Sequence, residues 1–148
     1  MKLLLALLAS SFFSFNSFAQ WDDSQLVGSW GDVCTQTNVD GLKGYTLQTY
    51  TFSSDLSFEF ERHWFTASDC SGEAFKISTE QGQLVLGKEN LNNGFNPRGT
   101  LDANFKVEQL ISKGVIWLDP EGTSMRISRG IYSGPRNTML GLFLYTRR

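Results

Sequence analysis

From residue 20 onward apolar positions recur with a period of two, and turn-forming residues break the pattern roughly every 8 to 12 positions, as in small antiparallel β domains. Residues 56–65 show this best. Leu56, Phe58, Phe60 and Trp64 share one face, while Ser57, Glu59, Glu61 and His63 share the other, which predicts a half-buried strand. Residues 44–52, rich in Tyr and Thr, predict its hairpin partner, with the turn at 53–55. Turn residues at 68–72 and 80–82 then bracket predicted strands at 74–79 and 83–86. Residues 89–99 hold four Asn, two Gly and a Pro, a composition that predicts the longest loop. Leu101, Ala103, Phe105 and Val107 mark the next strand. Turns at 113–114 and 119–122 bracket strands at 115–118 and 123–128, a second loop covers 129–136, and the last strand covers 138–145. With the segment around Trp30 this makes eight or nine strands, without linker or internal repeat. An antiparallel sheet of about eight strands can close into a barrel whose interior holds about one small ligand.

The first residues do not belong to this pattern. Residues 1–19 carry one Lys, an apolar run from Leu3 to Ala9, and Ser17-Phe18-Ala19, whose small residues suit a cleavage site, so they read as a signal peptide ahead of a single domain at 20–148. That predicts a periplasmic or secreted protein. The formal net charge is −2, and losing Lys2 makes the mature chain slightly more acidic, which disfavours nucleic acid and anionic membrane surfaces as partners. No apolar run in the mature chain is long enough for a membrane span. Two cysteines in an oxidising compartment, Cys34 and Cys70, allow one intramolecular bridge, a long-loop staple contributing about 4 kcal/mol in the chain-entropy model.

Candidate chemistry is sparse. A single His, two Cys without a CxxC spacing, and no phosphate-binding glycine loop or nucleophile elbow predict no cofactor, no metal and no catalytic machinery. His63 falls on the polar strand face beside Glu61, and Glu59 and Glu61 form a solvated face there rather than a glycosidase pair. Asp22 and Asp23 read as a solvated tail. An unpaired charge inside a barrel is costly, so the inward Arg62 is expected to meet a carboxylate, a ligand head group, or solvent at the mouth.

Leu26-Val27-Gly28-Ser29-Trp30 has the Gly-x-Trp arrangement found at the start of the first strand in lipocalin-like barrels, and the chain ends Leu144-Tyr145-Thr146-Arg147-Arg148. The resemblance implies a barrel floor built on Gly28 and Trp30, with Arg147 or Arg148 stacked on the indole as a cation–π pair. A narrower likeness covers residues 26–87, where Gly-x-Trp is followed by Cys34, an aromatic strand pair, and Phe65-Thr66-Ala67-Ser68-Asp69-Cys70. It resembles the secreted, lipid-binding barrel domain named for the protein down-regulated by adenomatous polyposis coli, and it implies a Cys34–Cys70 bridge.

The resulting expectation is an all-β, lipocalin-like barrel that binds a small hydrophobic or amphipathic ligand and is not an enzyme. Phe58, Phe60, Trp64 and Phe105 would bury the ligand's tail, with Arg62 at the mouth. Phe95, at the tip of the long loop, would fold over the opening as a lid, with Arg98 able to meet an anionic head group. The alternative is a protein-interaction module, an inhibitor or assembly factor with a protein partner and a solid barrel core.

Overall fold

The computed structural model describes residues 21–39, 42–132, 134–135, 137 and 144–148. The expected signal peptide and most of the expected strand at 138–145 lie outside them. Among the described residues nine strands follow a short 3₁₀ helix, Asp23–Leu26: β1 Gly28–Gly31, β2 Thr35–Val39, β3 Leu42–Phe52, β4 Ser57–Phe65, β5 Lys76–Glu89, β6 Leu101–Val107, β7 Leu110–Leu118, β8 Ser124–Tyr132 and β9 Leu144–Arg147. Each neighbouring pair is antiparallel, and β1 pairs with both β9 and β3, so eight strands close a barrel and β2 lies outside the ring on the first half of β3. The all-β barrel expected from the period-two pattern is therefore present.

The long β3–β4 hairpin sets the interior. Its register pairs Gln48 with Arg62, Tyr50 with Phe60 and Phe52 with Phe58, so alternate residues of both strands enter the barrel together. At one end the interior is packed solid. Leu26, Trp30, Phe52, Leu84, Phe105, Ile116, Leu118 and Met125 are all fully buried there. Trp30 closes this floor: its Nε1–H donates to the Leu26 carbonyl at 2.7 Å, and the Arg147 guanidinium sits 4.6 Å from its ring centroid. Arg147 also donates to the carbonyls of Gln25, Val27 and Gly122, tying the last strand to the 3₁₀ helix and to the β7–β8 turn. Asp22, expected in a solvated tail, is exposed and also caps that helix by accepting from the Ser24 N–H at 2.8 Å.

Three expected boundaries are corrected. Residues 80–82 are not a turn, because β5 runs unbroken through Gly82; a Cβ there would lie 2.0 Å from the Lys106 carbonyl oxygen. Likewise, Gly114 lies inside β7, where a Cβ would come 1.8 Å from the Ser128 carbonyl oxygen, and the chain reverses earlier, at Glu108, whose φ is +51°. In both places glycine marks close backbone approach in a tightly coiled sheet rather than a reversal. The loop expected at 129–136 starts later, since β8 continues to Tyr132 and carries Arg129 into the barrel. Cys34 and Cys70 are bridged, with Cα atoms 5.7 Å apart, which fastens the β4–β5 loop to the break between β1 and β2.

Candidate functional site

Above the solid floor the barrel opens into a cavity of about 400 Å³ lined by Gln48, Tyr50, Phe60, Arg62, Glu80, Ile127, Arg129, Gly130 and Tyr145. Five strands contribute. β3 and β4 supply Gln48, Tyr50, Phe60 and Arg62, β5 supplies Glu80 opposite Phe60, β8 supplies Ile127, Arg129 and Gly130, and β9 supplies Tyr145. The volume falls at the small end of the range for ligand sites, and the walls mix aromatic faces with convergent polar groups.

Two arginines enter this space with different commitments. Arg129 is ion-paired, its Nη1 lying 2.6 Å from Glu80 Oε1 and 3.4 Å from the Tyr50 hydroxyl that accepts from it. Its guanidinium also lies 4.6 Å from the Phe105 ring centroid and 5.7 Å from that of Phe58, so it forms a cationic cover between cavity and floor. Burial pulls its pKa down, but the Tyr50 oxygen and the Glu80 carboxylate outweigh this and hold it above the ordinary arginine value. Arg62 makes no ion pair among the described residues. Its Nη2 donates to Gln48 Oε1 at 3.4 Å, its Nε is buried without a hydrogen-bond partner, and its guanidinium sits between the rings of Phe60 and Trp64 at 5.4 and 5.6 Å. Gln48 Oε1 accepts a second bond from the Tyr145 hydroxyl at 3.2 Å. Burial raises the pKa of both Tyr50 and Tyr145, so both stay protonated donors across the physiological range.

Asp32 stands behind this wall, where β1 breaks. It is 5% exposed, its Oδ1 accepts the Gln48 N–H at 2.6 Å, and its Oδ2 has no hydrogen-bond partner. Burial pushes its carboxyl up to about 6, against the opposing effects of the Gln48 N–H and the charges of Arg148 and Arg62.

The ligand residues expected from the sequence separate into four groups. Phe60 and Arg62 line the cavity. Phe58 and Phe105 lie in the floor beneath Arg129, in edge-to-face contact at 5.5 Å, and do not line it. Trp64 is inward and buried but sits one step nearer the rim, with the Lys76 ammonium 4.8 Å from its ring centroid. Phe95 is 78% exposed, on a loop that follows the last residue of β5 while Glu80 lies in the first half of that strand. This loop closes the floor end: the Gly99 carbonyl accepts from Trp21 Nε1 at 2.7 Å and the Arg98 carbonyl from Trp117 Nε1 at 3.2 Å. Phe95 and Arg98 therefore stand at the end of the barrel away from the cavity, where a lid over it has no place.

Gln48, Tyr50, Glu80, Ile127, Arg129, Gly130 and Tyr145 are the lining residues that sequence reasoning missed. For Glu80 and Arg129 the signal existed: Ser78, Glu80, Gly82, Leu84 and Leu86 keep one period-two series, as do Met125, Ile127 and Arg129. His63 and Glu61 lie 3.6 Å apart on the outer face, and Glu59 accepts there from Gln81. Among the described residues no group of three or more His, Cys, Asp or Glu side chains is placed to hold a metal ion, and no helix is long and apolar enough to cross a membrane. Compared with known proteins, the chain matches no family model, no curated protein and no solved structure.

Proposed function

We propose that this chain is an exported binding protein that holds a small amphipathic molecule in the mouth of its barrel without transforming it. The observation that carries the reading is the cavity itself, walled by Tyr50, Phe60, Ile127 and Tyr145 and edged by polar groups. Periplasmic or secreted location is supported by the leader-like first residues and by the Cys34–Cys70 bridge, which persists in oxidising compartments. Because Arg129 covers Phe58 and Phe105, the ligand is short, resting on the upper aromatics rather than running to the floor. The likeness of Gly28-Ser29-Trp30, Cys34 and Cys70 to the lipid-binding domain named above supports a ligand-carrying role in general terms.

A second reading, a protein-interaction module, draws on Phe75 and Ile77, which are 48% and 56% exposed beside the disulfide-tied loop. Titration with the neutral fluorophore N-phenyl-1-naphthylamine separates the two. Ligand carriage gives saturable one-to-one binding that weakens on Phe60→Ala. Absence of saturable binding by any apolar probe, together with one specific protein recovered by pull-down from the native compartment, overturns it in favour of the second.

A further inference from the structure

The two arginines are unequal, and the inequality specifies the charge of the ligand. Arg129 already has its counter-ion in Glu80 at 2.6 Å, so that pair adds no net charge to the cavity. Arg62 has none. Among the described residues no carboxylate lies within ion-pair distance of it, and Asp32 acts on it only from farther away. Among the described residues its hydrogen bond to a neutral amide oxygen shared with Tyr145 is long, and its Nε is withdrawn from solvent without an acceptor. A cation held in a barrel interior by two aromatic faces and one amide has unspent donors, and a group that accepts from them recovers part of the desolvation cost.

Resting on the ligand-carrying reading, we infer that Arg62 is the recognition residue for a single negative charge, and that the natural ligand is a short amphiphile carrying one anionic group, of carboxylate type, on an aromatic or short aliphatic body. The Arg62 Nε and guanidinium edge donate to the anion. Tyr50, Phe60 and Ile127 pack on its body. The site is selective for one charge, because the Glu80–Arg129 pair lining the same cavity is neutral as a whole and offers no second cation to a dianion such as a phosphate monoester.

The test compares 2-naphthoate with 2-naphthylmethanol, which share the ring system and differ in charge, by isothermal titration calorimetry on the mature, oxidised chain. Wild type is expected to bind the carboxylate about tenfold or more tightly than the alcohol, the scale of one charge-assisted hydrogen bond. Arg62→Gln should erase that preference while leaving alcohol affinity within about threefold, and Arg62→Lys should restore part of it. Saturable binding of both compounds by wild type with equal affinity overturns the anion assignment and leaves ligand carriage standing; failure of both to bind overturns both. The wild-type comparison decides the matter even where Arg62→Gln does not fold.

Discussion

Replacing Glu80 by Gln removes the carboxylate that is ion-paired with the Arg129 guanidinium. Arg129 would keep its contact with the Tyr50 hydroxyl and its position over Phe105 and Phe58, but the carboxylate 2.6 Å away becomes a neutral amide. Breaking a buried pair from one side typically costs about 3 to 5 kcal/mol, because the remaining charge stays buried and unmatched. Here the Arg129 and Glu80 side chains are 15% and 23% exposed at the edge of the cavity, which places the expected loss nearer about 2 to 4 kcal/mol. Removing both charges, as Glu80→Gln with Arg129→Met, takes out the pair as a whole and should cost clearly less than the sum of the single changes. Urea unfolding followed by tryptophan fluorescence supplies the four stabilities of the cycle. A Glu80→Gln protein within about 0.5 kcal/mol of wild type, or single effects that simply add, would refute the buried-pair reasoning.

Asp32 has a folded-state pKa of about 6 against 3.8 in the unfolded chain, so between those values the native state holds the extra proton. Stability from this group is therefore full below about 3.8 and is lost as pH rises through about 6, a change on the order of 3 kcal/mol that Asp32→Asn should flatten in unfolding curves taken from pH 4 to 7.5. Reducing the Cys34–Cys70 bridge, which closes a separation of 36 residues, should lower stability by about 4 kcal/mol; equal unfolding midpoints with and without reductant would contradict this. Gly114→Ala should cost several kcal/mol or prevent folding, since the new methyl meets the Ser128 carbonyl oxygen at 1.8 Å, whereas Gly72→Ala, with no atom within 4 Å, should lose only the backbone strain of its φ of +83°, about 1 kcal/mol. Thermal melts of the two variants provide the comparison.

Side-chain periodicity made the barrel legible because a one-residue slip would turn every apolar side chain outward, and β6 carries that alternation throughout, while β4 keeps it from Phe58 to Trp64 apart from the inward Arg62. Gly-x-Trp at one end of the chain and Arg147 at the other were legible as a floor because an indole and a guanidinium have a specific mode of contact. The cavity was harder to see. Glu80 and Arg129 are charged and sit beside Gly82 and Gly130, so local composition reads them as turn and loop, and only the closed sheet brings β5 and β8 to the same interior. Phe95 misled in the opposite direction. Its loop has the composition of a lid, but which end of the barrel it covers is decided by strand direction, a property that no local segment contains.

Ligand carriage requires that the ligand occupy the space between Tyr50, Phe60, Ile127 and Tyr145. Ile127→Trp fills that space from β8, so it should abolish saturable N-phenyl-1-naphthylamine binding while the Cys34–Cys70 bridge and cooperative unfolding are retained. A folded Ile127→Trp protein that binds the probe as wild type does would place binding elsewhere and contradict the barrel-mouth site.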